Sequence, residues 1–275
     1  MELEQNQLQK AILNERRKIR NKKWGYFMVS ILSILAVLLI WEGSVRFGIV
    51  KTQYVEAPSD VLRVIIEKFT VESPDGATLP VHIMSSLKIA LAGFFLAVVI
   101  GTPLGLIMGW YKSADRFIRP IFNLIRPIPA VSWIPLMIVL LGIGLAPKVF
   151  IVFLSAFVPA VLNSYAGIKL TNQAMINVAK TCGAKNIIIF FRVGLPSAMP
   201  MVFTGWKVGL GLSWSTLVAA EMLASNSGLG YMILTGRQFL RIDIIMGGMI
   251  VIGLIGLLLF AILSQIEKIA LRWRL

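Results

Sequence analysis

Five stretches of this chain run for about the thickness of a bilayer without a single Asp, Glu, Lys or Arg. They are Trp24–Trp41, Ile89–Tyr111, Pro127–Pro147, Val149–Ile168 and Ile244–Ile266. A sixth, Val193–Ala220, is interrupted only by Lys207. A membrane-crossing helix needs about 20 mostly apolar residues, so each run is long enough or nearly so. Composition agrees. Apolar residues make up 57% of the 275, charged residues only 15%, and the mean hydropathy is +0.81. Too few charges remain to cover a soluble surface. The expected architecture is an all-α integral membrane protein with six transmembrane helices.

The charges that are present lie between the runs and are unevenly shared. With the N-terminus inside, the inner segments hold 17 Lys/Arg and the outer segments 7, while most acidic residues fall outside. Such a bias orients a membrane protein, and it predicts both termini in the cytoplasm. It also accounts for the net charge of +14 without nucleic acid, whose binding would need the cations gathered on one patch. One Cys and one His exclude a disulfide scaffold and any His/Cys metal cluster.

This reading divides the chain into five parts. Residues 1–23 are a basic cytoplasmic segment, with Leu8, Ala11, Ile12 and Ile19 fit to lie on the inner leaflet. Residues 24–47 are the first span; no small-residue cleavage site follows it, so it reads as a retained helix. Residues 48–82 form an outer segment with a short interfacial helix, capped by Ser59 or Asp60, and His82 is expected at the interface. Residues 83–270 are a five-helix core that includes a cytoplasmic loop at 170–198, and residues 271–275 return to the cytoplasm. Within the core, Gly101, Gly105 and Gly109 recur every four residues, as do Ala156, Ala160 and Ser164. Small residues at that spacing let helix backbones approach closely.

The 170–198 loop is the most informative stretch. Asn177-Val178-Ala179-Lys180-Thr181-Cys182-Gly183 reads as a helix with a glycine stop. A second helix follows, then Arg192-Val193-Gly194-Leu195-Pro196. A residue without Cβ takes the left-handed conformation of a helix end cheaply, so Gly183 predicts a stiff helix–turn–helix on the cytoplasmic face. Its spacing, A-x3-G-x9-V-x-L-P, resembles the E-A-A-x3-G-x9-I-x-L-P loop of binding-protein-dependent ABC importer permeases. Ala179, Gly183, Val193, Leu195 and Pro196 match; Asn177 replaces the Glu and Val178 the first Ala, an exchange that bears on one polar contact. Arg126-Pro127-Ile128-Pro129, Ser132-Trp133-Ile134-Pro135-Leu136, Ser213-Trp214, Leu217–Met222 and Gly228-Leu229-Gly230-Tyr231 are similar to the nitrate/sulfonate/taurine branch of that family.

The resemblance implies a type I ABC importer permease fold in a bacterial inner membrane. It implies a homodimer of this chain, two ATP-binding cassette ATPase subunits that receive the loop, and an extracytoplasmic solute-binding protein. ATP and Mg would be used by the ATPase. This chain would bind no cofactor and would be no enzyme, and its sequence has no G-x4-G-K-[ST] to cradle a triphosphate. The implied solute is a small anion such as a sulfonate, taurine, nitrate or bicarbonate. A secondary transporter or channel is the alternative; it usually carries buried carboxylates for ion coupling or an inverted repeat, and neither is evident.

An intramembrane cation points to function. On a helical projection Lys207, Gly211, Trp214, Val218 and Glu221 share one face, and Gly205, Gly209, Thr216 and Ala220 the other. Arg126 falls with Trp133 in the third run, beside Ser132. Arg126, Ser132, Trp133, Lys207, Trp214 and Glu221 are therefore candidates for a solute path. Snorkelling of the two cations to lipid headgroups and packing of the two tryptophans are the alternatives.

Overall fold

The computed structural model describes residues 26, 28–51 and 54–274. The basic segment 1–23, with its expected inner-leaflet helix, lies outside them. Among the described residues the regular elements are all helical: α1 (Met28–Arg46), α2 (Pro58–Glu67), α3 (Leu79–Trp110), α4 (Lys112–Ile125), α5 (Ile134–Leu141), α6 (Leu145–Lys169), α7 (Gln173–Thr181), α8 (Asn186–Ile189), α9 (Leu195–Ala224), α10 (Leu229–Gln238) and α11 (Ile242–Ala270). Single 3₁₀ turns sit at Ala130–Trp133 and Arg272–Arg274, and a π-turn at Phe190–Gly194. The chain forms two units, residues 1–63 and 64–275.

In the first unit α1 is apolar along its length and mostly exposed. Its last turn organises the start of α2. The Ser59 N–H donates to Glu42 Oε2 (3.1 Å), Ser59 Oγ donates to Glu42 Oε1 (2.8 Å), and Arg46 pairs with both Glu42 (3.0 Å) and Asp60 (2.9 Å). The cap of α2 thus comes from Glu42, a carboxylate seventeen residues away, and not from Ser59 or Asp60. A carboxylate is well placed there because first-turn N–H groups lack intrahelical partners and carry partial positive charge.

The second unit is built on α3, α6 and α9, with α11 packed against α9 and α10. The small-residue stripes of α3 and α6 face one another. A Cβ added at Gly105 would lie 2.3 Å from the Val161 carbonyl oxygen and 2.9 Å from Ser164; one at Gly101 would meet Phe157 and Ala160, and one at Gly109 would meet Ile168. Gly205 and Gly209 of α9 approach Pro159 and Ala156 of α6 in the same way. Backbones this close gain dispersion and leave no room for lipid.

Five helices are long and apolar enough to cross a membrane, or six when α4 and the 130–141 segment count as one bent span. That segment differs most from expectation. The run Pro127–Pro147 is not one straight helix. Proline disfavours the α conformation in the residue before it, and Pro127 with Pro129 divides α4 from the following turn at an angle of 79°. Gly142 (φ +74°) then ends α5. The second span also starts earlier than 83: α3 begins at Leu79, with Pro80 in its first turn, and carries both His82 and Lys88 inside it.

Candidate functional site

The 170–198 loop is a rigid knob. Asn172 caps α7 by accepting the Ala174 N–H (2.8 Å). Gly183 closes it at φ +78°, with its N–H on the Lys180 carbonyl (2.9 Å) and the Ala184 N–H on the Ala179 carbonyl (3.0 Å). These bonds satisfy carbonyls that a helix end otherwise leaves open. No residue of α7 is buried. Met175, Val178, Ile187 and Ile188 are each about half exposed or more, so the knob presents apolar side chains. Asn177 is exposed, and its Oδ1 accepts from Gln173 Nε2 (3.2 Å).

The knob is tied to the bundle behind it. Ile189 and Phe190 are buried, Phe190 meets Trp110 edge-on at 5.4 Å, and a Cβ on Gly194 would strike the Trp110 ring at 2.7 Å. The π-turn then feeds into α9, with Leu195 and Pro196 in its first turn. A π-turn widens one turn of a helix and often marks a functional junction. Val193 and Leu195 are half-buried.

The path candidates do not converge. Lys207 forms an ion pair with Glu267 of α11 and lies 5.8 Å from the Phe260 ring. Trp214 is buried against α11: its Nε1 donates to the Ile252 carbonyl (3.1 Å), and Gly256 gives it room. Glu221 is fully buried at the far end of α9. The Lys207, Trp214 and Glu221 side chains of the candidate path face are therefore covered by α11 and α10. Gly211 of that face stays exposed, and beside it Thr204, Val208, Leu212 and Ser215 form an exposed stripe; Leu223 is exposed near the end of α9.

Arg126 is exposed at the end of α4 and lines a cavity of ≈ 250 Å³ with Arg119, Asn123 and Tyr165. Arg119 is fixed there by Asp115 (2.9 and 2.6 Å) and Tyr165. Ser132 is exposed, whereas Trp133 packs beside Ile134, Met137, Ile151 and Ala220, and its buried indole N–H meets no partner among the described residues.

The sequence reading missed a polar cluster at the opposite end of the bundle from the knob. His82 is not interfacial; it is fully buried. Its Nδ1 accepts the Gly228 N–H (3.0 Å), and its Nε2 lies 3.1 Å from Asp75 Oδ2. Asp75 also pairs with Lys68, whose Nζ reaches the Ala77 carbonyl (3.0 Å). Ser86 donates to Glu221 Oε1 (2.7 Å) and accepts the Leu229 N–H (2.9 Å); Glu221 Oε2 accepts the Gly230 N–H (2.9 Å). Burial would raise the Asp75 carboxyl, but His82 and Lys68 outweigh it and hold it below the usual carboxylate range. The sequence signals were a lone His and a Glu flanking apolar runs; Gly228 and Ser86, which they meet across the bundle, are remote in the chain.

Comparison with known proteins places this arrangement. Residues 101–273 match the family model described as binding-protein-dependent transport system inner membrane component. The taurine transport permease TauC of Escherichia coli is 32% identical over 271 residues, covering 96% of this chain and 98% of that one. The nitrate import permease NrtB of Synechocystis is 33% identical over 191 residues, covering 70% of each. The sulfonate permease SsuC of Bacillus subtilis, a putative assignment by its own name, is 28% identical over 259 residues, covering 94% of this chain and 92% of that one. Among solved structures, an inward-facing form of the MetNI methionine ABC transporter superposes with a TM-score of 0.56 at 20% identity, over 69% of this chain and 92% of the matched one. Its likeness shows the fold, that of a type I ABC importer permease. The chain belongs to the family of inner-membrane permease components of binding-protein-dependent ABC importers.

Proposed function

We propose that this chain is the translocation subunit for a small oxyanion, of the taurine, sulfonate or nitrate kind, acting as a pair of copies. A separate ATPase, using ATP and Mg, receives the α7–Gly183–α8 knob, and an extracytoplasmic binding protein delivers the solute at the other end. The membrane is the bacterial inner membrane, with both termini in the cytoplasm.

The observation that carries this reading is the knob itself. It is a capped helix with a firm left-handed stop and an exposed apolar face. It is continuous through the π-turn with α9, a 30-residue helix spanning about 45 Å. A push on such a knob moves the whole rod; a flexible connector would dissipate it. Sequence relatives named for taurine, sulfonate and nitrate transport support the choice of solute.

For the path, the exposed α9 stripe of Thr204, Val208 and Ser215, with Gly211 at its border, is the better wall than the covered side chains of Lys207, Trp214 and Glu221, with Arg126 and Ser132 contributing from the bent span. Trp133 and Trp214 serve packing in this reading, and Lys207 is neutralised by Glu267. The test is reconstitution of this chain with its ATPase and binding protein in proteoliposomes, with taurine, an alkanesulfonate and nitrate as probes. ATP-dependent accumulation of one of them is the expected result. Accumulation driven by an ion gradient without ATPase would establish the secondary-transporter alternative instead.

A further inference from the structure

The cavity of ≈ 250 Å³ beside α4 gathers positive charge with no acid in its wall. Its polar lining is Arg119, Asn123 and Arg126 of α4 and Tyr165 of α6. The three α4 residues recur at i, i+4 and i+7, so the helix sets them on one face. Met108, Phe122 and Val161, all buried, form an apolar floor. Asp115 stands outside the cavity and takes Nε and Nη2 of Arg119 (2.9 and 2.6 Å). The two Nη1 hydrogens of Arg119 are not spent on it. Arg126 makes no ion pair among the described residues. Lys169 adds a third cation, 5.4 Å from the Tyr165 ring, which Arg119 also approaches at 5.1 Å. Arg119, Arg126 and Lys169 against Asp115 alone leave this neighbourhood positive.

The donors also say which kind of anion fits. A guanidinium presents parallel N–H groups to a pair of oxygens. Arg119 and Arg126 stand two turns apart, about 10 Å along the axis, and their side chains close on the cavity between them. To serve both forks at once an anion needs three or more terminal oxygens. A carboxylate and a lipid phosphodiester each have two, and chloride has none. We propose that this cavity is a binding site for a small free oxyanion of the phosphate or sulfonate class. Arg119 and Arg126 are its charged forks, Asn123 and Tyr165 its neutral donors, and Asp115 a positioning residue that fixes the Arg119 plane. The cavity lies at the knob end of the bundle: Tyr165 is one turn before the end of α6, and α7 begins at Gln173. Its orientation rests on the permease reading, by which this end faces the cytoplasm, where imported oxyanion accumulates.

The experiment titrates the purified full-length chain in detergent, by calorimetry, with ethanesulfonate, with inorganic phosphate and with short-chain phosphatidylglycerol. Saturable binding of ethanesulfonate or phosphate, one per chain, is the expected result. Arg126→Gln should weaken it about tenfold, the size expected for one hydrogen bond to a charged group. Arg126→Lys keeps the charge but not the fork and should restore only part of the loss. Arg116→Gln removes an exposed cation of α4 that does not line the cavity, and should leave the affinity unchanged. Asn123→Ala, at an exposed position, should cost about fivefold and carries the test if Arg126→Gln does not fold. Binding confined to phosphatidylglycerol would give the site to a lipid headgroup and overturn the assignment to a free oxyanion. No binding of any probe to the wild type would overturn the site itself, as would equal losses in Arg116→Gln and Arg126→Gln. Failure of the permease reading is separate. A chain that binds ethanesulfonate here, yet accumulates no taurine, alkanesulfonate or nitrate when reconstituted with its ATPase and binding protein, keeps the site and loses that reading.

Discussion

Gly228 and Glu221 are fitted to one another: a Cβ built on Gly228 would lie 2.4 Å from both the carboxyl carbon and Oε1 of Glu221. The same glycine adopts φ +124°, a conformation that L side chains avoid. Space and backbone therefore demand glycine independently, and the demand exists because Glu221 must reach the Gly230 N–H and Ser86 at once.

Gly228→Ala should accordingly be costly. Backbone strain of about 1–2 kcal/mol adds to the displacement of a buried hydrogen bond worth about 1 kcal/mol. Thermal unfolding in detergent should show a clear fall in Tm. Gly253→Ala, at a helical glycine with nothing within 4 Å of the new Cβ, should leave the Tm unchanged. Equal shifts in the two variants would show that the Glu221 fit contributes nothing.

Asp75 predicts a response to acid. Its carboxyl is held below the ordinary value by His82 and Lys68. A carboxyl whose folded pKa is depressed contributes stability above its unfolded pKa, near 3.8, and that stability is lost as pH falls through the folded value. Between about pH 5 and about pH 3 the Tm of the wild type should therefore drop. Asp75→Asn should start lower, because it leaves Lys68 buried without its counter-charge, and should lose less on acidification. A variant with the wild-type pH slope would place the acid-sensitive group elsewhere.

Orientation is tested by two cysteines in the Cys182→Ser background. Glu72→Cys and Lys185→Cys replace exposed residues at opposite ends of the bundle; Asp75 is unsuitable because it is buried. A membrane-impermeant maleimide applied to intact cells should label position 72 and not position 185. The reverse pattern would invert the topology drawn from the Lys/Arg bias.

Much of the fold was legible because lipid imposes a simple rule: spans must be long and uncharged. The charge-free runs locate α1, α6, α9 and α11 closely, and the glycine stripe of α3 anticipates its contact with α6. The failures share a cause. Lys88 ended the second run too early, although a cation near a helix end can sit at the interface. Two prolines signal a bend between α4 and α5 but not its angle. Partners that lie far apart in sequence left no local trace. Glu221 meets Ser86 across 135 residues, and Lys207 meets Glu267 across 60. Periodicity places a side chain on a helix face; it does not say which helix covers that face.

Lys207 can be separated from a path role by its partner. Both side chains of the Lys207–Glu267 pair are about one-fifth exposed, so water screens the pair only in part. Lys207→Met should destabilise by about 1–3 kcal/mol, mostly by stranding the Glu267 carboxylate, and adding Glu267→Gln should restore most of that loss. If the pair is structural, the double variant should also regain taurine uptake in proteoliposomes. Stability without uptake would return Lys207 to the solute path. Arg126→Ala removes a cation from the 119–126 cavity, where Arg126 makes no ion pair among the described residues, and should lower uptake with no fall in Tm.

The knob gives the sharpest test of the functional reading. Gly183 has φ +78°, and a Cβ there would meet nothing within 4 Å. Substitution at this site therefore acts through the backbone alone, which isolates the cap from packing. Valine is disfavoured in the left-handed region by about 1–2 kcal/mol, and asparagine tolerates it. Gly183→Val should tilt or fray the end of α7, and with it the face carrying Val178 and Met175, while the bundle behind Phe190 and Gly194 keeps its Tm. Solute-stimulated ATP hydrolysis by the reconstituted complex should be lost in Gly183→Val and largely kept in Gly183→Asn. Asn177 sits on the same helix, and its exposed side chain bonds Gln173, so Asn177→Ala should be mild and Asn177→Glu tolerated. A fully coupled Gly183→Val complex would mean that the α7 end does not transmit the ATPase stroke, and the reading of this chain as an ATP-driven permease would lose its mechanical basis.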